Sequence, residues 1–184
     1  MNEEKSSRLR RAFCSCEVKG TREMKTLVVY FSAESGRTAG VAKKMAAAIG
    51  ADLFEIKPVK PYSDADLNYM NPIARCNREF MGKKQVPVAG KVDHFDEYEL
   101  VLIGFPIWYG CAPNVVNTFC KGYDWSGKKV GIFATSGGSG LGKTVKKLEP
   151  YVKGAEIVDA RLMNGAGEQE MKDWAAKLNN ASLQ

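Results

Sequence analysis

The sequence predicts an α/β fold in which five parallel strands form one sheet with helices on both faces. Two observations lead there. From residue 25 onward, short apolar runs alternate with longer stretches of helical period. The most hydrophobic run, residues 99–107 (ELVLIGFPI), is nearly unbroken, as a strand covered on both sides must be.

Each element has its own signal. Residues 25–31 (KTLVVYF) are a β-branched apolar run and the first strand. Residues 38–50 (TAGVAKKMAAAIG) follow at helical period, with Gly50 placed to stop the helix. Residues 51–58 (ADLFEIKP) alternate, which suits a second strand near an edge. A long connection, residues 59–99, carries two helix starts: Ser63 ahead of Asp64 and Asp66, and Asn71 with Pro72 at the first helical position. After the central third strand, Pro113 opens a helix through residues 113–123. Residues 128–135 (KKVGIFAT) form the fourth strand, and a helix follows from Lys143 whose end Pro150 obscures. Residues 155–163 (AEIVDARLM) are the fifth strand, and residues 168–181 an amphipathic final helix.

A chain of 184 residues is long enough for one domain with a sizeable core. The formal charge is +6; six basic and four acidic residues precede Met24, leaving 21 basic and 17 acidic residues beyond. The latter mostly mix at helical spacing, which reads as solvated helix surface and not a nucleic-acid stripe. Residues 1–23 lack the apolar segment of a secretory signal and are expected to be a disordered leader before a single domain, residues 24–184. Residues 100–108, the longest apolar run, are broken by Gly104 and Pro106 and fall far short of a membrane span. Five cysteines make no regular framework, and Cys14-x-Cys16 lacks a second ligand pair, His94 being the one histidine. Free thiols in a cytoplasmic protein, without a metal, are expected.

In a parallel sheet of this kind, ligands bind beyond the carboxyl ends of the strands, where strand order reverses. The loop after the first strand is SAESGRT, residues 32–38. Its hydroxyls and the following helix start offer hydrogen bonds and a positive dipole end to an anion. Without a lysine of the triphosphate-binding type, the loop suits a terminal phosphate monoester. Taken alone, Ser35 or Thr38 could equally be a simple helix cap. The third strand leads into GFPIWYGCAPN, where Trp108 and Tyr109 offer a plate for a planar ring, although large aromatics more often serve the core. The fourth leads into TSGGSGLG, residues 135–142, whose glycines permit close backbone approach or make an ordinary flexible turn. A phosphate cradle, an aromatic plate and a close-approach backbone at one sheet edge together match flavin mononucleotide (FMN).

The stretches VVYFSAESGRT, GFPIWYG and FATSGGSG, in this order, resemble the flavodoxin family, over residues 25 to about 179. The likeness extends to members with an added segment after the second strand, here PYSDADLNYMNPIARCNREF. The resemblance implies a flavodoxin-like three-layer sandwich of strand order 2-1-3-4-5, non-covalent FMN and electron transfer to a redox partner protein or a small acceptor. By position it implies that Ser32, Ser35, Gly36, Arg37 and Thr38 hold the phosphate. Pro106, Ile107, Trp108 and Tyr109 would line the flavin, with Trp108 the stacking partner. Thr135, Ser136, Gly137, Gly138, Ser139 and Gly140 would flank the pyrimidine end, and Asn71 and Arg75 would reach the site. The chain departs from the family in Glu34, an extra acid expected to face solvent, in Arg37, and in its basic charge, which argues against the usual basic partners.

Residues 137–144 (GGSGLGKT) also match the phosphate-loop pattern G-x-x-x-x-G-K-[ST]. The pattern falls after the fourth strand and no strand ends in a suitable metal-binding acid, so nucleotide hydrolysis is not expected. A phosphoacceptor receiver is disfavoured, because it needs an acidic pair after the first strand and an aspartate ending the third, where this chain has Ser32-Ala33-Glu34 and Gly104-Phe105-Pro106. The main rival is an enzyme of the same fold that uses FMN and NAD(P)H to reduce quinones or other small acceptors.

Overall fold

The computed structural model describes residues 24–33 and 36–180. The proposed leader, Glu34 and Ser35 lie outside the described residues. Strand β1 (Thr26–Tyr30) is buried along its whole length and pairs in parallel with β2 (Asp52–Glu55) and β5 (Leu100–Pro106). Strand β5 pairs with β6 (Lys129–Thr135), and β6 with β7 (Glu156–Leu162), again in parallel. The sheet therefore runs β2-β1-β5-β6-β7, and its strands taken in sequence order have the expected arrangement 2-1-3-4-5.

Helices cover both faces. Helix α1 (Arg37–Ile49) and the final helix, residues 168–180, lie on one side, where Ala42, Met45, Met171, Trp174 and Leu178 pack on Val28, Leu100 and Leu102. The burial of Met171, Trp174, Ala175 and Leu178 follows i, i+3, i+4, i+7, so the amphipathic period becomes the core face directly. Trp174 also donates its Nε1–H to Asp159 Oδ2 at 2.9 Å, satisfying the indole inside the core. Residues 114–120 and 144–148, both helical, close the opposite face with Val115, Phe119 and Leu148 against Val29, Ile103 and Ile132. Gly104 is required by packing in the central strand: a Cβ there would stand 2.1 Å from Phe133 Cζ.

The long connection departs from expectation in two ways. The second strand stops at Glu55, and β3 (Lys57–Pro58) turns off to pair antiparallel with β4 (Val88–Ala89) in a separate small sheet. The Ser63 signal does start a helix, α2 (Asp64–Leu67), through a reciprocal capping box with Asp66. Pro72, however, opens no helix. Asn71 Oδ1 accepts the Ile73 N–H and the Asn71 carbonyl accepts the Ala74 N–H, so the chain turns first and α3 (Arg75–Met81) starts afterwards. Numbered in chain order, the remaining helices are α4 (Asn114–Cys120), α5 (Thr144–Leu148) and α6 (Glu168–Asn180), with Pro150 inside a 3₁₀ turn that continues α5.

Candidate functional site: a cleft at the carboxyl end of the sheet

The loops after β1, β5 and β6 meet at one sheet edge. Gly36 takes φ +63°, a left-handed conformation that glycine adopts without a Cβ penalty, and is the N-cap of α1. Ser32 Oγ accepts the Ala39 N–H at 3.2 Å, so one first-turn donor is satisfied from the preceding loop. Helix geometry leaves the Arg37 and Thr38 N–H groups without partners inside the helix, pointing out of its positive end. The N-cap is Gly36, which has no side chain, and Thr38 lies inside the first turn, so capping is not what Thr38 does. Its buried hydroxyl lies 2.8 Å from that of Thr135, which ties the first loop to the end of β6.

The middle loop is a tight turn. Ile107 N–H donates to the Thr135 carbonyl at 2.8 Å, and Trp108 and Cys111 exchange two backbone hydrogen bonds of 3.0 Å. The two residues between them, Tyr109 and Gly110, have φ +52° and +69°. Left-handed backbone costs a tyrosine roughly 1–2 kcal/mol, and such strain persists only when its surroundings enforce it. Here they do. The Tyr109 ring stacks on Phe80 at 4.5 Å and its hydroxyl donates to Asn77 Oδ1, both from α3. Burial, with Cys76 beside it, pushes the Tyr109 phenol well above its ordinary pKa, so the hydroxyl stays a donor across the physiological range.

Trp108 is braced from behind. The rings of Phe31 and Tyr62 meet it edge-on at 5.6 and 5.5 Å. Tyr62 in turn donates to Glu79 Oε2 at 2.5 Å, Glu79 is paired with Arg75 at 2.6 Å, and the Arg75 guanidinium lies 4.2 Å from the Tyr62 ring centroid. Arg75 thus acts two contacts away from the cleft as a prop for Trp108. Asn71 serves its own turn and does not line the cleft.

The third loop folds around a hydroxyl. Ser136 Oγ accepts the N–H groups of Gly138 and Ser139 at 3.1 and 2.8 Å. Asn164, beyond β7, brackets Ser136 with bonds of 2.9 Å to its N–H and carbonyl. Three amides of the loop, those of Ser136, Gly138 and Ser139, are therefore satisfied within the protein.

A cleft of about 550 Å³ results, within the range of small-molecule sites. Ile107, Trp108 and Tyr109 line one side and Ser136, Gly137, Gly138 and Ser139 the other, with Ala33 at the first loop. Gly36, Arg37 and Thr135 line an adjoining concavity that shares Ser136. Pro106, Ser32 and Thr38 do not line the cleft: Pro106 ends β5, Ser32 holds the Ala39 N–H and Thr38 holds Thr135; Gly140 lies beyond the cleft lining, and Ser35 lies outside the described residues. Sequence reasoning missed Leu67, Tyr69 and Cys76, which the long connection folds over the cleft, and Asn164. Tyr69, an aromatic in an otherwise polar stretch, was the one available signal.

The phosphate-loop pattern is resolved by burial. Thr144, whose hydroxyl such a loop would offer to a metal ion, is fully buried as the first residue of α5, while Lys143 points to solvent. The motif straddles a turn and a core position, which no triphosphate could follow.

Comparisons with known proteins agree with the geometry. A family model described as Flavodoxin matches residues 25–178. A crystal structure of a candidate flavoprotein from Bacteroides eggerthii DSM 20697 is 38% identical, with TM-score 0.76, 84% of this chain covered and 98% of that one. Another from Bacteroides uniformis ATCC 8492 is also 38% identical, with TM-score 0.78 and coverages of 84% and 99%. A flavoprotein in complex with FMN from Lactobacillus acidophilus NCFM is 26% identical, with TM-score 0.65 and coverages of 83% and 99%. No curated protein sequence matches. The strand order, the three converging loops and a family match spanning the whole sheet lead to one conclusion: this chain belongs to the flavodoxin family.

Proposed function

We propose that the chain binds FMN without a covalent bond and passes electrons through it. The observation that carries this reading is the cleft between the Ile107–Tyr109 turn and the Ser136–Ser139 loop, beside the helix start at Gly36–Thr38. An aromatic-walled slot suits a tricyclic ring, and a helix N-terminus with Arg37 suits a monoester phosphate. The FMN complex of the Lactobacillus acidophilus relative supports the same choice of cofactor.

The residues present match that ligand in its polar and apolar parts. Among the described residues, chain neighbours apart, Gly36 has no atom within 4 Å of where a Cβ would stand, which leaves room for a phosphate there. Trp108, held by Phe31 and Tyr62, presents a fixed aromatic surface, and the Ser136 loop supplies small residues for close approach. FMN supplies the redox chemistry when bound; the chain orients the ring, shields it with Tyr69 and Leu67, and sets its environment. The described cysteines Cys76, Cys111 and Cys120 are free and buried, which suits a reducing cytoplasm. Among the described residues no helix is long and apolar enough to cross a membrane.

The electron partner is proposed to be a redox protein or a small acceptor, and not the strongly basic partner of an acidic flavodoxin, given the +6 charge of this chain. Stopped-flow mixing of flavin-loaded protein with NADPH, with and without a quinone, separates carrier from enzyme. A carrier bleaches slowly or not at all without a reductase. Steady NADPH consumption by the protein alone assigns it to the oxidoreductases instead.

A further inference from the structure

On the far side of the Tyr109–Phe80 stack lies a second concavity, of about 490 Å³. Lys83 and Lys84 line it from the turn after α3, Lys121 from the end of α4 and Lys147 from α5. No carboxylate lines it, and among the described residues none of these four ammonium groups has a carboxylate at ion-pair distance. Elsewhere on this surface lysines do pair, as Lys172 with Glu168 and Lys57 with Glu55. Four like charges around one hollow repel each other, and a multiply charged anion relieves that repulsion.

One further feature says what the anion carries. Phe80, 37% exposed, and Tyr151 add ring surface, each already close to a lysine: Lys147 Nζ lies 5.9 Å from the Phe80 centroid and Lys121 Nζ 5.2 Å from that of Tyr151. Lysines for phosphates and rings for a planar body together describe a nucleotide.

We propose that this cleft binds a nucleoside diphosphate, with the phosphates among Lys83, Lys84, Lys121 and Lys147 and the nucleoside against Phe80 and Tyr151. The site is separate from the proposed flavin cleft, since none of the four lysines lines the latter. The two share a wall, because Tyr109 lines one cleft and its stacking partner Phe80 the other.

Isothermal titration of the full chain with ADP, adenosine and pyrophosphate as separate titrants tests this. ADP is expected to bind with a Kd of about tens of micromolar, and adenosine and pyrophosphate each roughly tenfold or more weaker. The double variant Lys121→Met/Lys147→Met, changed at exposed positions, should weaken ADP at least tenfold, whereas Trp108→Ala should leave it unchanged. ADP binding that ignores the lysine substitutions, or that Trp108→Ala abolishes, would place the nucleotide in the flavin cleft and overturn the proposal. Equal binding of pyrophosphate and ADP would reduce the site to a bare-anion trap and overturn the nucleoside assignment. Failure of all three to bind would refute it outright.

Discussion

Thr38 and Thr135 offer the sharpest test of how the site is held together. They are 97 residues apart, their hydroxyl oxygens are 2.8 Å apart, and their residues are only 2% and 5% exposed. Replacing either by valine keeps nearly the same volume but strands the other hydroxyl in a dry environment. That costs about 1–3 kcal/mol, the desolvation penalty of an unpaired buried group. Replacing both removes the stranded partner, so the double variant should lie within about 1 kcal/mol of wild type. In a chain of this size each kcal/mol moves the melting midpoint by about 2–4 °C. Thr38→Val and Thr135→Val should therefore each melt roughly 2–12 °C lower, and the double variant should recover most of the loss. Urea unfolding of the flavin-free protein gives the cycle directly, with a coupling energy of about 1–6 kcal/mol expected, the sum of the two single losses less that of the double. FMN titration of the same variants should show weaker binding in the singles, because the phosphate loop and the end of β6 would lose their mutual register. Singles that are neutral, or a double variant that simply adds their losses, would refute the claim that this bond joins the two loops.

Three other outcomes are expected. Gly104→Ala should destabilise by about 1–3 kcal/mol, because its Cβ collides with the Phe133 ring in a strand that cannot move; a urea midpoint equal to wild type would contradict the packing. Burial of Asp159 opposes its ionisation, but hydrogen bonds from Trp174 Nε1, the Ala160 N–H and Arg161 outweigh it and hold the carboxyl below the usual range. Its stabilising contribution is thus complete above about pH 4, the ordinary carboxylate range, and lost as pH falls through the lower folded value. Asp159→Asn should flatten that acid-side slope in melts from pH 6 to pH 2, and an unchanged slope would assign the acid sensitivity elsewhere. Trp108→Ala should weaken FMN and raise the midpoint potential of the bound flavin; if both stay unchanged, Tyr109 is the ring's partner.

The strands were legible because burial on both faces leaves continuous apolar runs, as in VLIGF and VGIFA, and the crossover rules then determine their order. The three loops were legible because each follows such a run. What escaped was non-local. The β3–β4 pair is two residues long on each strand and carries no period. Asn164 acts on Ser136 from 28 residues away, and nothing in NGAG advertises it. The Pro72 signal misled because Asn71 spends its carboxamide on a local turn, a competition that composition alone does not decide. Arg75 was placed at the site by resemblance, whereas its guanidinium supports Tyr62 and only through it Trp108.

The most direct test of the account is a paired titration of flavin-free protein with FMN and with riboflavin, followed by quenching of flavin fluorescence. The two ligands share the ring and differ in the phosphate, so the pair reads the aromatic cleft and the Gly36–Thr38 helix start separately. The account predicts saturable one-to-one binding of FMN and binding of riboflavin at least tenfold weaker, a gap of about 1.4 kcal/mol or more. Equal affinity for both would contradict the phosphate cradle, and no quenching by either would contradict the flavin site itself.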